Sequence, residues 1–264
     1  MCTVTWTQHA DGFDLFCNRD ERHTRRLAAP PDVRMRNGVR YIAPADGDFG
    51  GTWITVNEFG MAVCLLNAYE DERDTGREDY TSRGLLVAAL ADARDESELT
   101  ARLGATRLDA FRPFTLVVVE PDVPAVVLRW DGEHCRVVAV GNVSAPLVSS
   151  SWQYERVHAT RTRLLAEMVR ERGALDTETL EAFHRTHVPA RGPESVCMHR
   201  DDTETVSLSV VSVRPDVVEF RYEAGAPCES IVCETVVLER AVARGSNSPM
   251  TRREPAAAAP RCEG

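Results

Sequence analysis

The sequence predicts an α+β fold in which two mainly antiparallel sheets lie between two helical layers, a four-layer αββα sandwich. Strand-like and helical segments come in blocks, in the order strands, helices, strands, helices, strands, whereas a Rossmann-type fold alternates them. Short links such as Asp11-Gly12 and Asp131-Gly132 join successive strands, and hairpin turns of this kind make neighbouring strands antiparallel. The two helix pairs are then available to cover the outer faces of the sheets.

The first half of the chain supplies strands and one helix pair. β-Branched and aromatic side chains between turn residues predict strands at 2–8, 12–17, 52–56 and 61–66. Apolar residues at helical spacing predict helices at 82–93, with Ser82 as a suitable N-cap, and at 96–103. Pro30-Pro31 predicts an extended loop, because proline fixes the backbone and donates no hydrogen bond.

The second half repeats this order of elements. It predicts strands at 114–120, 125–130 and 135–140, then helices at 154–172 and 177–187, then strands at 195–198, 205–213, 217–222 and 231–238. Gly173 is a typical stop for the longer helix, and Asp176 or Thr177 caps the next one. We expect a single domain over residues 1–243 and a disordered low-complexity tail over 244–264.

The charge and cysteine content exclude several classes of function. The net charge is −10, which disfavours nucleic acid and anionic membranes as partners. All 31 lysine-plus-arginine residues are arginine, so no lysine Schiff base or P-loop lysine is available, and such usage suggests a bacterial source. No signal-peptide pattern or membrane-length apolar run is visible. We therefore expect a cytoplasmic protein whose eight cysteines are reduced thiols.

Cys2 follows the initiator methionine, and a small second residue permits removal of that methionine. The mature chain would then carry a thiol and a free α-amine on one residue, and an amine with a pKa of about 7.7–8.0 is a base that can activate the thiol. The predicted hairpin brings the end of the second strand, Asn18-Arg19-Asp20-Glu21, beside Cys2. This polar cluster is either part of a functional pocket or a salt-bridge network that closes the sheet edge.

Four ordered motifs carry a resemblance to a known family. They are Met1-Cys2-Thr3, Asn18-Arg19-Asp20-Glu21, Gly50-Gly51-Thr52-Trp53 and Ser82-Arg83-Gly84. Together they resemble the NRDE family, also called the transport and Golgi organisation protein 2 family, over roughly residues 1–240, and Ser195-Val196-Cys197-Met198-His199 is similar to its bacterial members. That family in turn resembles the N-terminal-nucleophile hydrolases, particularly the choloylglycine and penicillin-amide hydrolases, which implies their αββα sandwich.

The resemblance also implies roles for individual residues. It places the nucleophile on Cys2 and the oxyanion donor on Asn67. Asn18, Trp53 and Arg83, which belong to three of the four motifs, are the candidate substrate-binding residues. The Arg-Asn-x-Asp motif of those hydrolases appears here in shuffled order, so its roles pass to the catalytic candidates Arg19, Asp20 and Glu21. Their second asparagine falls near Asn142 or Ser149-Ser150-Ser151, and their late arginine has no counterpart in Thr205-Val206-Ser207.

Two functions remain open at this point. The first is an N-terminal-cysteine hydrolase that cleaves linear amide or thioester bonds of a small molecule through an acyl-enzyme. The alternative is a non-catalytic protein that uses the same pocket to bind and carry a lipid, acyl or haem ligand. Trp53 either lines this pocket or is plain core, and the charged segment 70–79 is a solvated loop or a lid over it.

The sequence does not favour a metal centre. His184, His187, Cys197 and His199 are metal-ligand types, with each pair assigned to one face of a helix or strand. They lie on separate elements without a Cys-x-x-Cys pattern, so a surface helix with two histidines is the preferred interpretation. Cys228 and Cys233 are assigned to a turn and a strand, with a redox pair as the alternative. No metal and no cofactor are expected.

Overall fold

The protein, described by a computed structural model, is defined over residues 2–73, 75–141, 146–229 and 232–241. Its strands are β1 (Cys2–His9), β2 (Gly12–Arg22), β3 (Ala29–Arg36), β4 (Val39–Ala45), β5 (Ile54–Asn57), β6 (Ala62–Asn67), β7 (Phe114–Val119), β8 (Val126–Trp130), β9 (Cys135–Val140), β10 (Leu147–Ser149), β11 (Thr203–Val213), β12 (Val217–Ala224) and β13 (Val232–Glu239). Its helices are α1 (Arg83–Leu90), α2 (Glu96–Ala105), α3 (Tyr154–Arg172) and α4 (Thr177–Arg185).

The strands form two antiparallel sheets, which confirms the predicted fold class. One sheet has the order β10-β1-β2-β11-β12-β13 and the other runs in sequence from β3 to β9. Apolar side chains from both sheets pack face to face in one core, which includes Val4, Leu15 and Val56. A second core joins α1 and α2 to the outer face of the β3–β9 sheet, and a third joins α3 and α4 to the outer face of the other. These layers make the αββα sandwich.

The structure corrects several element predictions. Pro30-Pro31 lies in strand β3, and Asn37 and Gly38, both with positive φ, form the turn to β4. The prolines are tolerated because β3 is an edge strand, where a missing donor breaks no ladder on its open side. Residues 195–198 are not a strand, and the three-residue strand β10 is too short to show an alternating pattern.

Two of the sequence motifs meet in space through their glycines. A Cβ on Gly51 would lie 2.5 Å from the carbonyl carbon of Gly84. The N–H of Thr52 donates to the carbonyl of Gly84 at 3.0 Å. The backbone of the Gly50-Gly51-Thr52-Trp53 motif therefore touches the start of α1, and only a residue without a side chain fits between them. No helix in the described part of the chain is long and apolar enough to cross a membrane.

Replacing Gly51 with alanine is expected to lower the free energy of unfolding by about 1–3 kcal/mol, because the new methyl group overlaps backbone atoms that cannot rotate away. The measurement is urea denaturation monitored by far-UV circular dichroism. Gly104→Ala is the control, since no atom lies within 4 Å of a Cβ at this exposed position in α2. The control should be neutral or stabilising by about 0.5–1 kcal/mol. Equal effects of the two substitutions would contradict the close contact between motifs.

Candidate active site

Cys2 begins β1 in the interior of its sheet and faces a cavity. It pairs with Ser149 of β10 on one side and with Arg19 of β2 on the other. Its residue exposure is 9%, so Cys2 is almost fully buried. The cavity beside it has a volume of about 400 Å³. Of the predicted site residues, those that line it are Cys2, Arg19, Asp20, Glu21, Trp53, Asn67 and Arg83.

Arg19 is held in place between two carboxylates and an indole ring. Its Nη2 donates to Asp46 Oδ2 at 2.7 Å and to Glu21 Oε2 at 3.1 Å. Its guanidinium carbon lies 4.4 Å from the centroid of the Trp53 ring, a cation–π distance. Because Arg19 is also the cross-strand partner of Cys2 and both line the cavity, these contacts hold a positive charge at the same cavity as the thiol. Trp53 therefore both lines the cavity and supports Arg19.

Asp46 is the anion that organises this edge of the cavity. Its Oδ2 also accepts from Arg25 at 2.6 Å, and its Oδ1 accepts from the backbone N–H groups of Asp48 and Phe49. Burial raises the pKa of the Asp46 carboxyl, but the Phe49 N–H and the two guanidinium groups outweigh burial, so the pKa lies below its usual value. Asp46 is therefore ionised at neutral pH and keeps Arg19 oriented.

Asn67 and Ser149 come from different sheets and meet next to Cys2. Ser149 Oγ donates to the backbone carbonyl of Asn67 at 2.7 Å. The side-chain Nδ2 of Asn67 donates to the hydroxyl of Tyr69 at 2.9 Å, which uses one of its two hydrogens. Asn67 lines the cavity together with Cys2, so the second hydrogen is available to an oxyanion there. The other predicted candidate, Asn142, lies outside the described residues.

Asp20 is buried and bonds toward the helical layer. Its Oδ1 accepts from Thr205 Oγ1 at 2.6 Å, and its Oδ2 lies 4.0 Å from Nη1 of Arg161 in α3. Burial raises the pKa of the Asp20 carboxyl, against the opposing influence of the Arg161 guanidinium and the Thr205 hydroxyl. Arg161 itself is 1% exposed and also bonds to the Thr3 hydroxyl, beside the candidate nucleophile. It is a buried cation close to the site.

Asn18 and His184 form a neutral pair beneath the second strand. Asn18 is not among the cavity-lining residues; its Nδ2 donates to the carbonyls of His184 and Val196 at 2.9 and 3.0 Å. His184 Nδ1 lies 3.0 Å from Asn18 Oδ1, and its Nε2 lies 2.8 Å from the hydroxyl of Thr5. His184 is therefore a buried structural residue, which corrects the interpretation of a surface helix with two histidines. Asn18, predicted as a substrate-binding residue, bonds within the same buried network.

The thiol of Cys2 is protonated in this environment. A hydrogen bond with Cys17 and then burial raise the pKa of Cys2 well above its usual value. A reactive thiolate consequently needs a base that acts during the reaction, and the α-amine of the same residue is the one the chain can supply once Met1 is removed.

Sequence reasoning missed two residues that shape this site. Asp46 lies in a turn-like stretch, Asp46-Gly47-Asp48, where an acidic side chain ordinarily signals a loop. Arg161 lies at helical spacing among the apolar residues of α3. An arginine on the apolar face of a helix was the available signal for a buried cation. Glu21 and Arg83 both line the cavity, and Arg83 Nη1 donates to Glu72 at 3.0 Å and to the Pro113 carbonyl at 2.7 Å.

The fold is shared with solved hydrolase structures. A mutant of conjugated bile acid hydrolase from Clostridium perfringens matches with a TM-score of 0.54 and 12% identity, covering 89% of this chain and 92% of that one. The N-acylethanolamine-hydrolyzing acid amidase orthologue of Caenorhabditis elegans gives 0.52 and 14%, covering 80% and 92%. Penicillin V acylase from Agrobacterium tumefaciens gives 0.51 and 11%, covering 90% and 86%. The chain has an N-terminal-nucleophile-hydrolase-like fold.

The sequence also identifies the family. The model of the family described as Transport and Golgi organisation 2 matches residues 1–219, so the chain belongs to that family. The resemblance inferred from the four motifs is thereby confirmed. No curated protein matches the sequence.

His184 predicts a pH dependence of stability. Burial, then Arg161 and Arg185, lower its pKa to about 3. The folded-state pKa of His184 is below the unfolded value of about 6.5. The contribution of the neutral His184 side chain to the free energy of unfolding is therefore complete above pH 6.5 and is lost as the pH falls toward 3. We expect the free energy of unfolding to fall by up to about 1.4 kcal/mol per pH unit below 6.5 from this residue.

The measurement is urea denaturation of the wild type and His184→Gln at intervals from pH 7 to 5. The substitution should lower stability at pH 7 and flatten the curve below pH 6.5. His134→Gln, at an exposed position, is the control and should keep the wild-type slope. A slope that is unchanged in His184→Gln would show that His184 is not the titrating group.

Proposed function

We propose that this protein is an N-terminal-cysteine amidohydrolase that cleaves a linear amide or thioester bond of a small molecule. The observation that carries the proposal is the position of Cys2, which lies at the wall of a cavity with a guanidinium as its cross-strand partner and an amide donor beside it. The shared fold with amide hydrolases supports the same reaction class.

The reaction requires removal of Met1, which leaves the α-amine on Cys2. This amine takes the thiol proton, and the sulfur attacks the substrate carbonyl to form a C–S bond. Asn67 donates to the oxyanion that develops on the carbonyl oxygen. The C–N or C–S bond to the leaving group then breaks, and the ammonium returns its proton to that group. Water, deprotonated by the same amine, attacks the acyl thioester and releases the acid and the Cys2 thiol.

Arg19 and Asp20 have different parts in this scheme. Arg19 lines the cavity with its positive charge, where it favours the thiolate and binds a carbonyl or carboxylate of the substrate. Asp20 is the buried carboxyl next to it in β2 and orients the amine of Cys2. Glu21 and Asp46 act through Arg19, since both bond to its guanidinium.

The cavity also supports a carrier function, the second candidate. The Cys2 thiol is held protonated, which suits a site without catalysis as well as one with an internal base. Apolar residues and arginines share the lining, among them Phe49, Leu65, Trp53, Arg25 and Arg83. Such a lining fits an anionic amphiphile, for example a lipid, an acyl chain with a carboxylate, or haem. A carrier would retain ligand binding without Cys2.

The first test is chemical. Intact mass of the purified protein should show loss of Met1, because the terminal amine is essential to the mechanism. Activity against a library of N-acyl amides and acyl thioesters should be abolished in Cys2→Ala and strongly reduced in Cys2→Ser. Cys135→Ser is the control, since Cys135 is an exposed thiol away from the cavity. Turnover that survives Cys2→Ala would exclude the thiol mechanism, and ligand binding without any turnover by the wild type would favour the carrier.

The second test concerns the orientation of Arg19. Asp46→Asn removes the negative charge that holds both Arg19 and Arg25, and we expect kcat/KM to fall by about 10²-fold, as for other misplacements of site groups. Asp48→Asn is the matched control, because Asp48 pairs with Arg25 and Arg26 but not with Arg19. Similar losses in the two variants would mean that general loop damage, rather than Arg19, accounts for the effect.

A further inference from the structure

A cluster of two histidines and two cysteines lies outside the cavity of Cys2. It consists of His187, Cys197, His199 and Cys228, whose nearest ligand atoms all lie within 4.8 Å of one another. His187 follows α4, Cys197 and His199 precede β11, and Cys228 lies in the turn between β12 and β13. The fold therefore brings together three segments that are distant along the chain.

Within this cluster, one ring nitrogen, Nε2 of His199, lies close to the other three ligand atoms. His199 Nε2 lies 3.3 Å from His187 Nε2, 3.6 Å from Cys197 Sγ and 3.4 Å from Cys228 Sγ. An imidazole nitrogen has a single hydrogen or a single lone pair in the ring plane, so it cannot satisfy three such neighbours by hydrogen bonds. A cation placed among the four atoms would satisfy all of them at once.

These separations match a tetrahedral zinc site. Zn–N and Zn–S bonds of about 2.0–2.1 and 2.3 Å place two ligand nitrogens about 3.3–3.4 Å apart, and a nitrogen and a sulfur about 3.5–3.6 Å apart. The three distances from His199 agree with these values to within about 0.2 Å. Two sulfur and two nitrogen ligands are also the donor set that favours Zn²⁺ over oxygen-preferring cations.

We propose that His187, Cys197, His199 and Cys228 bind one structural Zn²⁺ ion in a Cys₂His₂ site. Zinc would bind both histidines through Nε2 and both cysteines as thiolates, with the two thiol protons released to solvent. Two thiolates neutralise the charge of the ion. All four positions are occupied by protein atoms, as in structural rather than catalytic zinc sites.

The surroundings supply a support for His199. When Nε2 binds the metal, Nδ1 carries the hydrogen, and metal-bound histidines donate that hydrogen to a carboxylate or carbonyl. Glu204 Oε2 lies 3.7 Å from His199 Nδ1 and is the acceptor within reach. Arg191 Nη2 also lies 3.3 Å from Nδ1, but it is paired with Glu229 at 2.5 Å, which gives its hydrogens another partner.

The proposed zinc would hold residues 195–198 in place, and this segment bonds to the polar side chains beneath the strand pair of Cys2 (β1 and β2). The backbone carbonyls of Ser195 and Val196, just before Cys197, accept from Arg161 and Asn18. The N–H of Met198, between the two ligands, donates to Thr205 Oγ1 at 2.8 Å. Residues 195–198 are not a strand, so a metal ligand within this segment, Cys197, and one directly after it, His199, would anchor it in place of strand pairing. This role holds whether or not Cys2 is catalytic.

The test is metal analysis of the full-length protein purified under reducing conditions without added chelator. We expect one zinc per chain by inductively coupled plasma mass spectrometry. After removal of zinc, Co²⁺ should give the intense visible d–d bands of tetrahedral coordination together with thiolate-to-cobalt charge transfer in the near ultraviolet. The apo-protein should melt at a lower temperature than the zinc form.

Substitutions identify the ligands. Cys228→Ser should weaken Zn²⁺ binding by more than about 100-fold in competition with a chromophoric chelator, and it changes an exposed turn residue, so the chain should still fold. Cys233→Ser is the control, since Cys233 is also exposed but lies outside the cluster. His199→Gln should abolish the cobalt spectrum.

Three results would overturn the proposal. One is a reduced apo-protein that binds neither Zn²⁺ nor Co²⁺ at micromolar concentration. Another is zinc affinity that is equal in Cys228→Ser and the wild type. The third is a Cys197–Cys228 disulfide in freshly purified protein, seen by peptide mass mapping after alkylation, that persists when zinc and reductant are present together.

Discussion

The antiparallel register between β1 and β2 is the constraint on which the candidate site depends. Cys2 pairs with Arg19, and residues two apart on a strand share a face. The same register that sends Leu15 and Cys17 into the core between the sheets sends Arg19 toward the cavity. A slip by one residue would exchange Arg19 with Asp20 and bury the guanidinium among the helices. The apolar pattern of the strand therefore also places its charges.

The opposite face of β2 carries a network in which each buried polar side chain has a defined role. Asn18 and Asp20 both point away from the sheet interface, where an unpartnered amide or carboxylate would be costly. The backbone carbonyls of His184 and Val196 accept from Asn18, and the Asp20 carboxyl accepts from Thr205 and lies near Arg161. The irregular path of residues 195–198 agrees with this, since the carbonyls of Ser195 and Val196 accept from side chains instead of from a strand ladder. The NRDE tetrapeptide is thus divided: Arg19 and Glu21 face the cavity, Asn18 bonds toward the helical layer, and Asp20 bonds toward that layer while also lining the edge of the cavity.

Much of the fold, and part of the site, was predictable from the sequence, for identifiable reasons. Turn dipeptides and helical periodicity are local sequence patterns, so the hairpins and α3 could be predicted. The edge strand with Pro30-Pro31 and the short β10 form only by pairing with strands elsewhere in the chain, so no local pattern predicts them. Cys2 could be proposed from its motif and Asn67 from the resemblance to the hydrolases. Asp46 reaches Arg19 across 27 positions, and no local pattern predicts such an ion pair. The predicted tail beyond residue 243 lies outside the described residues.

Two requirements on the Cys2 thiol oppose each other. Its surroundings keep the thiol protonated, whereas nucleophilic attack needs the thiolate. The thiol sits in an enclosed setting that raises its pKa, which protects it from oxidation and from adventitious nucleophilic reactions. A nucleophile in such a setting is useful only if its proton has a short path to a base that is itself enclosed, and a base on the same residue meets that condition with no further side chain. The shuffled order of the tetrapeptide is compatible with this requirement, because it keeps an arginine as the cross-strand partner of Cys2 and a carboxyl on the next residue. The late arginine of the related hydrolases has no counterpart in β11, whereas Arg161 of α3 brings a guanidinium to within 4.0 Å of the buried Asp20 carboxyl. A cation that arrives from another element can supply the same charge, so the missing motif does not by itself argue against catalysis.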